Sequence, residues 1–230
     1  MEKLREKIAK IIGVMALIMV IVSLYLVFIY APTEKYMGHV QRIFYFHVAF
    51  AWTSFFAFFV TFAASVMYLI RKNRFWDIVA SSSVELGLAF CCIILTTGPI
   101  WARPVWGAYW TWDPRLVTTL ILLFIYAAYL IMRNAIDEET KRARYSAVIG
   151  IIGFFDIPIV YMSIQWWSRT IHPDVVRPEK IDLPPEMIRT LFFSFYSIMA
   201  FYLFMLLRRI RFEELKDEVK ELRKKILKEY

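Results

Sequence analysis

Apolar residues run through this chain in six long stretches, at about 11–30, 46–70, 78–101, 115–133, 145–167 and 187–207. Polar, charge-bearing segments separate them. A helix needs about 20 apolar residues to cross the hydrocarbon core of a bilayer. In lipid the backbone must satisfy its own hydrogen bonds, and uninterrupted runs of this length do so as helices. The pattern predicts an all-α, polytopic membrane protein, a six-transmembrane-helix bundle. Lys3, Arg5, Lys7 and Lys10 precede the first run in the manner of a signal peptide's basic segment. Its apolar stretch is longer than a signal peptide's and no small-residue cleavage pattern follows, so a retained anchor is expected.

Composition agrees with the pattern. Of 230 residues, 60% are hydrophobic and 18% aromatic, more apolar surface than a soluble domain of this size can hide. Charge adds direction. Of the 28 Lys and Arg, 20 fall in the N-terminal segment, residues 71–77, residues 133–144 and the tail 208–230. By the positive-inside tendency these segments face the cytoplasm, both termini included. The expected address is the plasma (inner) membrane, multi-pass, with residues 102–114 on the outer, periplasmic side. The net charge of +8 is then met by anionic membrane lipid, and no nucleic-acid partner is implied.

The chain divides into a six-span membrane domain, 1–207, and a cytoplasmic amphipathic helical tail, 208–230. In the tail Phe212, Leu215, Val219, Leu222 and Ile226 recur at spacings of three and four. Such a stripe either rests on the membrane surface or docks a partner.

Candidate chemistry gathers on the expected outer side. WGAYWTWDPR, residues 106–115, packs Trp106, Trp110 and Trp112 into seven positions, with Trp101 just upstream and Asp113 directly after. Several indole faces beside polar groups suit a large, flat, mostly apolar ligand. The bland alternative is an interfacial aromatic belt. The three histidines, His39, His47 and His172, fall on the same side. A tetrapyrrole needs apolar walls, axial nitrogen ligands for its iron, and cations for its propionates. His47 and His172 can supply the nitrogens; either can instead be an ordinary structural histidine. His39 lies eight residues before His47, about 12 Å farther out on a continuous helix, and is the weakest candidate. Arg103, Arg115, Arg42, Arg169 and Arg177 can pair with propionates. Asp113 precedes Pro114 and a long apolar run, the mark of a helix N-cap, which is preferred over ligand contact. Without a C-x-x-C-H motif, thioether-linked haem is not expected on this chain.

The segments RIFYFHVAFAW, WGAYWTWDPRLVTTLILLFIY and DIPIVYMSIQWWSRTIHP resemble, in order and spacing, the motifs of the WWD-signature haem-handling family, and in particular its CcmC branch. The resemblance covers roughly residues 38–175. It implies a haem-binding and haem-delivery role in cytochrome c biogenesis, with non-covalent haem b presented at the outer face. The receiver would be a CcmE-like haem chaperone. The other partners implied are a CcmA-like ATPase, a CcmB-like membrane subunit and a CcmD-like small membrane protein. It also implies that His47 and His172 are the axial ligands, with Trp106, Trp110, Trp112 and Asp113 as the platform.

Glu85 and Asp156 are the acidic residues well inside the apolar runs, and lipid exposure of either is costly. They are expected to face the bundle, as a polar path, a subunit contact, or acids hydrogen-bonded to Ser, Thr or Tyr. Pro158 is expected to kink the fifth run at Phe154. Cys91 and Cys92 read as small packing residues. With no nucleotide-binding motif, ATP hydrolysis belongs to another subunit. Two rival functions remain open at this point: a haem lyase attaching haem covalently to the chaperone, and a transport permease subunit.

Overall fold

A computed structural model describes residues 2–167, 172 and 183–229. Among these, six helical segments are long and apolar enough to span a membrane, and they overlay the six apolar runs. Helix α1, Glu2–Tyr25, ends in a wider π turn, Leu26–Tyr30. A short 3-10 turn, His39–Gln41, leads into α2, Arg42–Arg71. The remaining helices are α3 (Arg74–Trp106), α4 (Pro114–Ala135), α5 (Glu139–Phe154), α6 (Asp156–Trp166) and α7 (Pro185–Glu229).

Local sequence sets the helix ends. The α2–α3 hairpin turns in two residues: Lys72 takes left-handed backbone, φ 53°, and Asn73 caps α3 by accepting from the Phe75 amide at 2.9 Å. At the other end of α3, Gly107 holds φ 72°, which only glycine takes without strain, and closes the helix onto the Arg103 carbonyl at 2.9 Å. Asp113 then starts α4, its side chain accepting from the Arg115 amide at 3.0 Å with Pro114 at the first helical position. The fifth span breaks at Phe155, between α5 and α6, within a turn upstream of Pro158 as expected from the lost backbone donor.

Helix α2 is central, packed on α3, α5 and α7, while α4 packs on α3, α5 and α6, and α1 lies along α7. The middle of the bundle combines aromatic stacking with short polar links. Phe58 and Tyr126 stack with ring centroids 3.8 Å apart. Ser54 donates to the Gly87 carbonyl at 2.9 Å, and Ser83 joins the Tyr202 hydroxyl at 2.8 Å. Buried hydroxyls of this kind bind helices together where lipid removes the hydrophobic driving force. Both cysteines are free, Cys91 buried and Cys92 exposed.

Ionic chemistry marks the end of the bundle where α2 meets α3 and α4 meets α5. Asp77, only 2% exposed, accepts from both terminal nitrogens of Arg133 at 2.6 and 2.8 Å and also pairs with Arg74. Arg74 reaches on to Asp217 of α7 at 2.9 Å. Glu85 departs from the expected hydroxyl partner. It is bound by Arg209 of α7 through two contacts, at 2.5 and 2.8 Å, because α7 brings a guanidinium to its level. Asp156 is buried, and its Oδ2 has no partner among the described residues.

The tail is continuous with the sixth span. Helix α7 runs unbroken for 45 residues, about 67 Å, roughly twice the thickness of a bilayer's hydrocarbon core. Along it Phe212, Leu215, Val219, Leu222 and Ile226 are exposed.

Candidate functional site

At the opposite end of the bundle, a cavity opens between α2, α3, α4 and α6. On α2 its wall follows one helical face: Phe44, His47, Val48, Ala51, Trp52 and Phe55. On α3 the wall is Ile94, Leu95, Gly98, Pro99 and Trp101, again spaced by three and four. Trp106 is the last residue of α3, Trp110 comes from the α3–α4 connection, Arg115 from the first turn of α4, and His172 from the segment after α6. Thus the two candidate histidines, 125 positions apart in the chain, line one cavity with Trp106 and Trp110.

Each histidine stands against an indole. The His47 ring lies 5.9 Å from Trp101, tilted by 39°. The His172 ring lies 6.2 Å from Trp106, at 63°. His47 sits in the second turn of α2, and its Nδ1 is 3.0 Å from the Thr97 hydroxyl of α3. Arg115 brings positive charge to the cavity wall, and one of its nitrogens donates to the Tyr161 carbonyl of α6 at 2.8 Å.

The other candidates stand apart from the lining. Trp112 is 74% exposed and packs edge-on against Trp110, with centroids 5.7 Å apart. It also holds a left-handed backbone, φ 52°, which bulky residues rarely adopt and which costs on the order of 1–3 kcal/mol. Asp113 is buried beneath this turn as the α4 cap, and so fixes where the loop tryptophans project. Arg103 is exposed and lies over the Tyr109 ring at 4.4 Å. His39 is exposed at the surface, hydrogen-bonded to Arg42. Arg42 in turn is committed to the Val27 carbonyl that the π turn presents, rather than to the cavity. Arg169 and Arg177 lie outside the described residues.

Trp101 is the residue that sequence reasoning undervalued. It is buried, 6% exposed, and packs against both Phe44 and His47. The available signal was helical register, since Ile94, Gly98 and Trp101 share one face of α3.

Among the described residues no three His, Cys, Asp or Glu side chains gather as a metal site. Two imidazoles are too few for a protein-only metal cage, but they match the two axial positions of a porphyrin iron. Aromatic walls and a guanidinium complete what such a ligand needs, so the residues present fit haem.

The family profile described as CcmC, heme exporter protein C, matches residues 1–225. Heme exporter protein C of Bradyrhizobium diazoefficiens is 36% identical over 142 residues, covering 62% of this chain and 54% of that protein. The Escherichia coli heme exporter protein C is 29% identical over 182 residues, covering 79% of this chain and 74% of that protein. A putative cytochrome c biosynthesis ccmC-like mitochondrial protein of Marchantia polymorpha is 30% identical over 175 residues, covering 76% and 74%. This chain belongs to the CcmC family.

Proposed function

We propose that the chain is a haem-handling protein of cytochrome c maturation that binds haem b non-covalently as cargo and presents it at the outer membrane face. The observation that carries this reading is the convergence of His47 and His172 on one tryptophan-lined cavity. Their imidazoles would supply the nitrogen ligands that hold the iron of the cargo. Trp101, Trp106 and Trp110 pack on the porphyrin and exclude water. Arg115 balances propionate charge, with its orientation fixed by the Tyr161 carbonyl. Trp112 and Arg103 form the exposed rim, and Asp113 holds that rim in register as the cap of α4.

In this reading both termini lie in the cytoplasm and the cavity opens on the outer side of the inner membrane, and the distribution of basic residues supports that orientation. The receiver is a CcmE-like haem chaperone, and the ATPase and further membrane subunits are CcmA-, CcmB- and CcmD-like chains. The names of the similar proteins, heme exporter protein C and a cytochrome c biosynthesis protein, support the haem-handling role in cytochrome c maturation.

A haemin titration of the purified protein tests the reading. The expected result is a saturable Soret band for the wild type that weakens and shifts in both His47→Ala and His172→Ala. A wild type that never develops the band, or a band that both variants leave unchanged, would overturn it.

A further inference from the structure

His47 is seated by two consecutive residues of α3. Gly98 offers bare backbone, and a Cβ built there would lie 3.2 Å from His47 Cε1, tighter than ordinary contact. Thr97 supplies the polar partner, its Oγ1 standing 3.0 Å from His47 Nδ1. The same oxygen lies 2.7 Å from the Ile93 carbonyl oxygen and 3.5 Å from that of Ile94. A hydroxyl has one proton to give, and a carbonyl can only accept. Both short contacts of Thr97 exist together only if its proton points back along α3 to Ile93. Helical threonines commonly make this bond, and neighbouring Thr96 makes it to Cys92 at 2.7 Å. The hydroxyl therefore turns a lone pair to His47, and Nδ1 must be the nitrogen that carries the ring proton. A neutral imidazole has one N–H, so Nε2 is left with its lone pair.

We propose that Thr97 is a positioning residue that accepts the Nδ1 proton of His47 and thereby presents Nε2, in fixed orientation, to the iron of the cargo. The inference rests on the reading of His47 as an iron ligand. Thr97 is not among the described residues that line the cavity, so it acts only through the histidine. Trp101, one turn further along α3, flanks the same ring and restricts its rotation. Without the threonine oxygen, the buried Nδ1–H has no acceptor, and the proton moves to Nε2, where it blocks ligation. Partners of this kind, which take the second N–H of a ligating histidine, are generally worth about 10–100-fold in metal affinity.

Three variants, Thr97→Val, Thr97→Ser and His47→Ala, test this with two readouts on the full-length protein in detergent. One is a haemin titration followed by visible and electron paramagnetic resonance spectra. The other is nitrogen NMR of the haem-free protein labelled at histidine, which reports which His47 nitrogen bears the proton. Thr97→Val keeps the side-chain shape and should melt near the wild type. It should bind haemin about 10–100-fold more weakly, lose low-spin character, and shift the His47 proton from Nδ1 towards Nε2. Thr97→Ser should restore all three properties. A folded Thr97→Val with unchanged spectra and an unchanged His47 tautomer overturns the positioning role while leaving the ligand reading intact. Failure of serine to restore the wild-type tautomer and spectra also overturns it. If His47→Ala binds haemin as the wild type does, the ligand reading fails, and the role of Thr97 toward iron fails with it.

Discussion

The two ends of this bundle are joined by different chemistry. At one end, charges cross-link the helices: Asp77 gathers Arg133 and Arg74, Arg74 reaches Asp217, and Arg209 holds Glu85 and Glu213. At the other, helices meet through aromatic rings, two histidines and backbone caps around a cavity. A cross-linked end resists separation, because breaking a buried ion pair strands an uncompensated charge. An end built from rings and caps leaves space into which a flat ligand can fit. Under the proposed function, one end serves stability and the other ligand binding.

Breaking the charged end should give the largest change in stability. Asp77→Ala removes the carboxylate between two guanidiniums and should cost about 3–5 kcal/mol, since Asp77 is almost fully buried. Its thermal midpoint should fall sharply, while the haem spectrum of the folded fraction stays that of the wild type. A smaller effect should come from the cap at the cavity end. Asp113→Ala should lower stability by about 1 kcal/mol and weaken haemin binding, because the loop tryptophans lose their anchor. Asp113→Asn keeps an acceptor for the Arg115 amide and should retain both properties. An asparagine variant that folds but loses haem would move Asp113 from the cap to direct ligand contact. The smallest change is expected for Glu85→Gln. Glutamine keeps an oxygen acceptor for Arg209, which also holds Glu213, so the loss should be about 1 kcal/mol. Haemin titration of that variant should be unchanged, and a lost Soret band there would merge the two ends into one functional unit.

Much of the fold was legible because bilayer physics writes itself into local pattern. Run length marked the six spans, Asp113–Pro114 marked the start of α4, and Pro158 marked the break before α6. What stayed hidden depends on partners distant in the chain. Glu85 and Arg209 are 124 positions apart, and Thr97 meets His47 across 50, so no window along the sequence contains either pair. Trp101 looked like an interfacial aromatic because a tryptophan that packs on a histidine and one that faces lipid have the same sequence signature. Arg42 was legible as a cation, yet the carbonyl it binds is presented only by the π turn at Leu26–Tyr30. Of the proposed site, the local rules supplied residue types and the expectation of a common side, and tertiary packing sorted wall from rim.

The central claim is that His47 and His172 hold one iron between them. Electron paramagnetic resonance of the ferric haem-loaded protein tests it most directly. The account predicts a low-spin, two-imidazole signal in the wild type. It predicts a high-spin signal in His47→Ala and in His172→Ala, with added imidazole restoring the low-spin form in each. A wild-type signal that persists in either variant without added imidazole would contradict the account.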